Sequence, residues 1–346
     1  MSILISYSRH PNCNAIRNWI RKNQMKTPLG LVLSAIVCLP SLASQAAGSA
    51  PPTALKTFLE REGFGGSPLR RRLGNHLFAT TIINGRRTAL MIDTGSPRTL
   101  IDRSTIRGLG LPVENTKQRV GGIWGWKPEH YGVSKLATLM MGNCTFMDVP
   151  ITVADESQIN KIRGPHLDGL FGAHEMSKFG MVIDCARQMI YVNPKGPSAA
   201  TTEKLTEFLA GRGFTRIPMH FDDRHHLAID AALNGHPTPL IVDTGASTTL
   251  LASSVAHACA VSLSPLKIHI RDTTVGIVPI NIGHIQELTL GSLRIPNAEV
   301  VIADVAKEVG AGLLGEEYLS WNFAVVDVGG MNLFLRPPES GPRTNR

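Results

Sequence analysis

The sequence is poor in charged and aromatic residues. Of its 346 residues, only 18% are Asp, Glu, Lys or Arg and 5% are Phe, Trp or Tyr. The formal net charge is +8, but five basic residues and no acidic residue fall within residues 1–46. The rest of the chain therefore carries only a modest, dispersed positive excess. Because nucleic-acid binding needs a concentrated basic surface, we expect no nucleic-acid partner.

The sequence also lacks the motifs of several common chemistries. It has no HExxH, no CxxC, no GxSxG elbow, no phosphate-binding loop and no dinucleotide fingerprint. We therefore expect no metal and no cofactor. Of five cysteines, Cys13 and Cys38 fall near the N-terminus, which leaves Cys144, Cys185 and Cys259. Cys144 and Cys185 could form a disulfide, or they could be buried free thiols.

One long apolar stretch is present, at residues 29–42. It follows Lys26, is interrupted by Gly30 and Pro40, and precedes Ala43-Ser44-Gln45-Ala46. A basic start, a short apolar core and a small-residue site are typical of a secretory signal peptide. We predict a signal peptide at 1–46, with Met25 as the possible true start, and a periplasmic or secreted protein without stable membrane insertion after cleavage. The alternative is an uncleaved anchor.

The remaining chain contains the same pattern twice. Residues 89–96 and 239–246 are apolar runs that end in Asp-Thr-Gly, at an offset of 150 residues. The same offset aligns Phe58-Leu59 with Phe208-Leu209, Gly63-Phe64 with Gly213-Phe214, and Asn84-Gly85 with Asn234-Gly235. A constant offset over such a stretch indicates two homologous halves.

Each half has the same predicted order of elements. A short helix ends at Gly63 or Gly213, and an Asn-Gly hairpin leads into the Asp-Thr-Gly strand. A second motif follows in each half, Leu170-Phe171-Gly172 and Leu313-Leu314-Gly315, and then a closing hairpin in which Asp184 or Asp327 begins a turn. We predict an all-β protein with lobes at 47–192 and 202–336, a linker at 193–201 and a disordered tail at 337–346.

Asp-Thr-Gly after an apolar strand, followed by an apolar-apolar-Gly motif and repeated in each half, resembles the aspartic proteases of the pepsin and retropepsin kind. The resemblance covers nearly all of residues 55–336 in pattern. The short lobes and lead-in helices look more like the bacterial retropepsin-like group than like large eukaryotic pepsins. The resemblance implies an acid-protease fold, with two β-barrel-like lobes and an active-site cleft between them. It also implies that Asp93 and Asp243 are catalytic.

The resemblance assigns roles to the neighbouring residues as well. Thr94 and Thr244 would link the two active-site loops, and Gly95 and Gly245 would bring backbone N–H groups close to the carboxylates. Two carboxylates about 3 Å apart cannot both ionise cheaply, so one keeps a proton. Ser96 has a hydroxyl that could bond Asp93, whereas Ala246 at the matching position has none. We therefore expect the charge on Asp93 and the proton on Asp243.

A flap over the cleft is expected in the first lobe, near residues 120–126. Its candidate substrate-contacting residues are Gly122, Trp124, Trp126 and the slightly later Tyr131. The alternative for the tryptophans is ordinary surface packing. Residues 275–278 are similar in outline, so the second lobe could carry a flap of its own.

Taken together, these features predict a monomeric aspartic endopeptidase that acts on polypeptides without a cofactor. The chain would be active as a monomer because it carries both half-sites. The alternative is a catalytically silent peptide- or protein-binding module of the same two-lobed fold.

Overall fold

The computed structural model describes residues 53–72, 75–122, 125–155, 166–264, 268–272, 276–305 and 310–336. The predicted signal peptide, Met25, the predicted tail at 337–346 and Trp124 lie outside these residues. Within the described part, no helix is long and apolar enough to cross a membrane.

The first half contains ten strands and three helices among the described residues. In chain order these are α1 (Thr53–Arg61), β1 (Gly65–Arg71), β2 (Leu77–Ile83), β3 (Arg86–Asp93), β4 (Leu100–Asp102), α2 (Arg103–Gly108), β5 (Glu114–Gly122), β6 (Gly125–Met141), β7 (Cys144–Ala154), β8 (Gly169–Gly172), α3 (Ala173–Lys178), β9 (Val182–Asp184) and β10 (Met189–Val192).

The second half repeats this order with some strands divided. Its elements are α4 (Ala199–Ala210), β11 (Thr215–Phe221), β12 (Leu227–Ile229), β13 (Ala231–Leu233), β14 (His236–Pro237), β15 (Leu240–Asp243), β16 (Leu250–Ala252), α5 (Ser253–Ala258), β17 (Ser262–Leu263), β18 (Ile268–Asp272), β19 (Gly276–Leu290), β20 (Leu293–Ala303), β21 (Gly312–Gly315), α6 (Glu316–Trp321), β22 (Val325–Asp327) and β23 (Asn332–Leu335). The predicted all-β, two-lobed class is confirmed.

Each lobe is built around its Asp-Thr-Gly strand. β3 pairs antiparallel with β2 and parallel with β8, and β15 pairs in the same way with β12 and β21. The last four residues of β3 and all of β15 are buried. Their continuous apolar sequence is therefore explained by neighbours on both faces.

The tight turns follow the local sequence. Asn84 and Gly85 have φ of 47° and 83°, and Asn234 and Gly235 have φ of 49° and 82°. Two successive positive φ values define the turn that best matches the twist of a hairpin, and Asn-Gly is its preferred sequence.

A third sheet joins the two lobes, which the sequence pattern did not predict. Its strand order is β1-β10-β9-β22-β23-β11, and β9 meets β22 at its centre through the pair Ile183 and Val326. Helices α1 and α4 contribute to the apolar cluster on this sheet, where Phe58 stacks on Phe208 at 4.2 Å. The two lead-in helices therefore meet each other as well as their own lobes.

Some details differ from the sequence-based prediction. Helix α4 begins at Ala199, so the last three residues of the predicted linker at 193–201 are helical. The described residues also include four one- to two-turn helices, α2, α3, α5 and α6, which are too short to show an amphipathic period. Cys144, Cys185 and Cys259 are buried free thiols, which decides between the two possibilities for these cysteines.

Candidate active site

The two Asp-Thr-Gly motifs lie at the ends of β3 and β15, where Asp93 and Asp243 are fully buried. Asp93 is opposite Gly172 of β8, and Asp243 is opposite Gly315 of β21. A Cβ on Gly172 would collide with the backbone of Arg98, and one on Gly315 with that of Thr248. The glycine of the second motif is therefore required because the loop that follows the Asp-Thr-Gly strand, here called the Asp-Thr-Gly loop, passes directly over it.

The two loops are linked by reciprocal threonine hydrogen bonds. Thr94 Oγ1 donates to the Val242 carbonyl at 2.7 Å, and Thr244 Oγ1 donates to the Ile92 carbonyl at 2.8 Å. Each hydroxyl also accepts the other threonine's backbone N–H, at 3.0 and 3.1 Å. These are the contacts that the resemblance implies for both threonines. Because each loop makes the same contacts to the other, the two loops are related by an approximate twofold axis.

Gly95 and Gly245 each lie against the carboxyl group of the opposite lobe. A Cβ built on Gly95 would fall on the Asp243 carboxyl, and one on Gly245 would fall on the Asp93 carboxyl. The absence of a side chain therefore lets each carboxyl approach the other loop, which brings the two carboxyls into one site.

The carboxyls are further oriented by backbone donors. Asp243 Oδ1 accepts N–H groups from Gly245 at 2.8 Å and Ala246 at 3.0 Å, and Asp93 Oδ1 accepts the Ser96 N–H at 3.0 Å. Burial, and then the neighbouring Asp93 carboxylate, raise the pKa of Asp243 well above its ordinary range. The raised pKa favours the protonated state of Asp243.

The predicted role of the Ser96 hydroxyl is wrong. Ser96 Oγ donates to the Arg98 carbonyl at 2.9 Å, and it is the backbone N–H of Ser96, not its hydroxyl, that donates to Asp93. Ala246 makes the same backbone contact to Asp243, so the Ser-to-Ala difference does not separate the two carboxyls. The hydroxyl is used within its own loop because the chain turns at Arg98.

A threonine–glutamate brace behind each loop was missed. Thr99 donates from its N and Oγ1 to Glu175 Oε2, both at 2.8 Å, and its Oγ1 accepts the Gly172 N–H at 3.1 Å. Thr249 N donates to Glu317 Oε1 at 2.6 Å. The two threonines share the 150-residue offset, but the glutamates occupy different positions after their glycines, so the repeat does not reveal them.

The apolar members of the second motif are core residues. Leu170, Phe171, Leu313 and Leu314 are all buried in β8 and β21. Asp184 and Asp327 accept the N–H groups of Arg187 and Gly330, both three residues later, as expected for turn residues. Asp168 accepts from the Ala89 N–H and from Thr105 Oγ1, a structural role that joins β3 to α2.

Both lobes contain a long hairpin at the position of the predicted flaps. In the first lobe β5 pairs with β6, and Gly122 is opposite Gly125 while Gly121 is opposite Trp126. The Trp126 side chain, like all of Trp124, lies outside the described part. Tyr131 is half-buried, and its hydroxyl bonds to Gln118. In the second lobe β18 pairs with β19, from Ile268 to Asp272.

Among the described residues, no group of three or more His, Cys, Asp or Glu side chains could hold a metal ion. The site consists instead of two buried carboxyls, one from each lobe, held at the meeting point of two equivalent loops. A two-lobed, all-β chain with this arrangement has the acid-protease fold.

Comparisons with known proteins agree with this class. Residues 79–174 match the family described as aspartyl protease, and residues 229–321 match the family described as gag-polyprotein putative aspartyl protease. The two matches fall one in each half and together cover more than half of the chain. The chain therefore belongs to the aspartic protease family.

Solved structures of this kind are also similar, at low identity. A retropepsin-like aspartic protease from Rickettsia conorii is 17% identical, with 38% of this chain and 90% of that chain covered and a TM-score of 0.28. An aspartic proteinase from Irpex lacteus is 14% identical, with 82% and 100% covered and a TM-score of 0.45. Basic 7S globulin from soybean is 10% identical, with 79% and 94% covered and a TM-score of 0.44. These scores are too low to carry the assignment, which rests on the family matches and the site. No curated protein matches the chain.

Proposed function

We propose that the chain is an aspartic endopeptidase that hydrolyses peptide bonds with water activated by Asp93 and Asp243. One observation carries the proposal: both carboxyls are buried, and each lies against the glycine of the opposite Asp-Thr-Gly loop. Burying two carboxyls side by side disfavours the doubly charged state, because each is desolvated and repels the charge of the other. Such a pair is suited to sharing one proton.

The proposed reaction uses the difference between the two carboxyls. Ionised Asp93 takes a proton from water as the water oxygen bonds to the peptide carbonyl carbon. Protonated Asp243 donates its proton to the carbonyl oxygen, which forms a neutral tetrahedral diol. Asp93 then returns its proton to the nitrogen as the C–N bond breaks, and Asp243 recovers a proton from the diol. The raised pKa of Asp243 supports this assignment.

The proposal is tested by incubating residues 47–346 with a denatured protein mixture from pH 3 to 7 and sequencing the new termini. We expect cleavage that pepstatin blocks and that Asp93→Asn and Asp243→Asn both abolish. Asp327→Asn, which removes a buried carboxyl of a hairpin turn, is the matched control and should cleave normally. Folded wild-type protein that cleaves nothing at any pH would contradict the proposal.

We also propose that the enzyme works as an exported monomer, in the periplasm or outside the cell. The signal-like segment at 1–46 supports export, and the presence of both half-sites in one chain supports a monomer. Fractionation of cells that express the full chain, followed by N-terminal sequencing, should find the mature protein beginning near residue 47. Size-exclusion chromatography with light scattering should give the mass of one chain.

A further inference from the structure

A buried ion pair joins the two lobes beside the Asp-Thr-Gly loops. Arg71, at the end of β1 in the first lobe, contacts Glu316, the first residue of α6 in the second lobe, with Nη2 and Oε1 2.9 Å apart. The Glu316 side chain has no exposed surface, and the Arg71 side chain is 22% exposed. The pair therefore spans the junction and is largely shielded from solvent.

The guanidinium of Arg71 makes several fixed contacts at once. Its Nη2 donates to the Cys185 carbonyl and to Ser320 Oγ, both at 2.8 Å, and its Nη1 donates to Asn75 Oδ1 at 2.8 Å. Ser320 Oγ in turn donates to Glu316 Oε1 at 2.5 Å. We call these five residues the Arg71 clamp. A lysine ammonium could not reproduce this fork of donors.

The clamp is connected to Asp243 by a short path. Glu316 directly follows Gly315, which is the partner of Asp243 in the β15–β21 pair. The backbone N–H of Glu316 donates to the Ala246 carbonyl at 2.8 Å, and the Ala246 N–H donates to Asp243 Oδ1 at 3.0 Å. A displacement of Glu316 would therefore move the loop that holds Asp243.

The corresponding position on the other side of the approximate twofold axis is apolar. The internal repeat places Phe221 where the clamp has Arg71, Ala173 where it has Glu316, and Val328 where it has Cys185. Ala173 and Val328 are buried in the main core, and Phe221 packs against it. Ala173 N–H still donates to the Ser96 carbonyl at 2.8 Å, so the first lobe's loop contact forms without an ion pair.

The apolar residues on the other side of the axis show that the fold does not require an ion pair at this position. Apolar residues close the junction on one side, and a buried ion pair is generally no more stabilising than a well-packed apolar substitute. Burial raises the pKa of Glu316 to about 7. The loss of solvation outweighs the opposing effects of the Arg71 guanidinium and of hydrogen bonds from Ser320, Arg71 and the Cys185 thiol, all of which lower the pKa. The Asp184 carboxylate also faces Cys185 and is paired with Arg187.

We propose that Arg71 and Glu316 are positioning residues, and that the Arg71 clamp fixes the Asp243 loop against the first lobe. The clamp acts on one loop only, so it makes the two halves of the site unequal. This inference rests on the proposed function for its kinetic effect, but its effect on the titration of the two carboxyls does not require catalysis.

The test compares Arg71→Lys with Arg187→Lys. Arg187 is a close match because its side chain is 21% exposed and pairs with the fully buried Asp184 carboxylate, but within one lobe and one hairpin. In protein labelled with ¹³C at the aspartate carboxyls, the dyad signals are assigned with Asp93→Asn and Asp243→Asn. We expect Arg71→Lys to shift the dyad titration by about 0.5 pH unit or more and Arg187→Lys to leave it unchanged.

Kinetics on one cleaved peptide supply the second readout. We expect Arg71→Lys to lower kcat about tenfold with KM within about twofold, since the loop is misplaced but the cleft is intact.

The triple variant Arg71→Phe/Cys185→Val/Glu316→Ala copies the apolar side of the junction. It should show the same shift of the dyad titration as Arg71→Lys, while unfolding in urea like the wild type. An unshifted dyad titration in Arg71→Lys would overturn the clamp, whatever the kinetics. Wild-type protein without proteolysis would overturn the proposed function alone.

Discussion

At the scale of single residues, the site depends on four glycines at which any side chain would collide with a neighbouring group. Gly95 and Gly245 allow each carboxyl to approach the opposite loop, and Gly172 and Gly315 allow the loops to cross the second motif. The sequence repeat located all four of these glycines. Their physical reason appears only in the folded chain, because the groups they accommodate are distant in sequence.

Ser96→Ala should leave the acidic limb of the pH–rate profile in place, within about 0.3 pH unit. The Ser96 hydroxyl donates to the Arg98 carbonyl, and the contact to Asp93 comes from the backbone, which alanine retains. Because the substitution leaves the burial of the dyad, its neighbouring charges and this backbone hydrogen bond in place, little change in the profile is expected. The profile of kcat/KM against pH measures this, and a displaced acidic limb would show that the hydroxyl does act on Asp93.

At the scale of elements, reciprocal threonine hydrogen bonds connect the two Asp-Thr-Gly loops. Thr94→Val would leave the Val242 carbonyl and the Thr244 N–H without their partner, both in a buried site. Each unpartnered buried group costs about 1–3 kcal/mol, so we expect a loss of about 2–6 kcal/mol in the free energy of unfolding, measured in urea. Thr94→Ser keeps the hydroxyl and should lose less than half as much. Equal losses in the two variants would show that the hydrogen bonds are not the cause.

The elements near the motifs could be predicted from sequence, and the elements between the lobes could not. The helix stops at Gly63 and Gly213, the Asn-Gly turns and the closing hairpins all have local signals, and the structure contains them. The central six-stranded sheet has no such signal, because β9 and β22 lie far apart in the chain and meet through tertiary packing. The Glu175 and Glu317 braces and the Arg71–Glu316 pair are long-range contacts for the same reason.

At the scale of the whole molecule, several buried carboxyls with raised pKa values predict a fold that is more stable at acidic than at neutral pH. Burial raises the pKa of Glu316 to about 7 and that of Asp327 to about 6, and it also raises the pKa values of Asp184 and Glu317. In the unfolded chain these groups titrate near pH 4. A folded pKa above the unfolded one contributes stability that is complete below about pH 4 and is lost as the pH rises through the folded value.

We therefore expect the free energy of unfolding to fall by at least about 2 kcal/mol between pH 4.5 and pH 7.5. A carboxyl whose pKa is one pH unit higher in the folded than in the unfolded chain contributes about 1.4 kcal/mol to this fall. Urea unfolding of residues 47–346 at the two pH values measures the difference. Asp327→Asn removes one of the titrating groups and should make the dependence shallower. Greater stability at pH 7.5 than at pH 4.5 would contradict this account of the buried carboxyls.

The central claim is that Asp93 and Asp243 act as one unit, and a double-mutant comparison tests it most directly. On one cleaved peptide, kcat/KM is measured for wild type, Asp93→Asn, Asp243→Asn and the double variant, with Asp327→Asn as the control. Residues of a single catalytic unit are strongly non-additive, so we expect each single variant to lose about a thousandfold or more and the double variant to lose no more than either. A single variant that keeps activity within about tenfold of wild type, or losses that multiply in the double variant, would contradict a shared dyad.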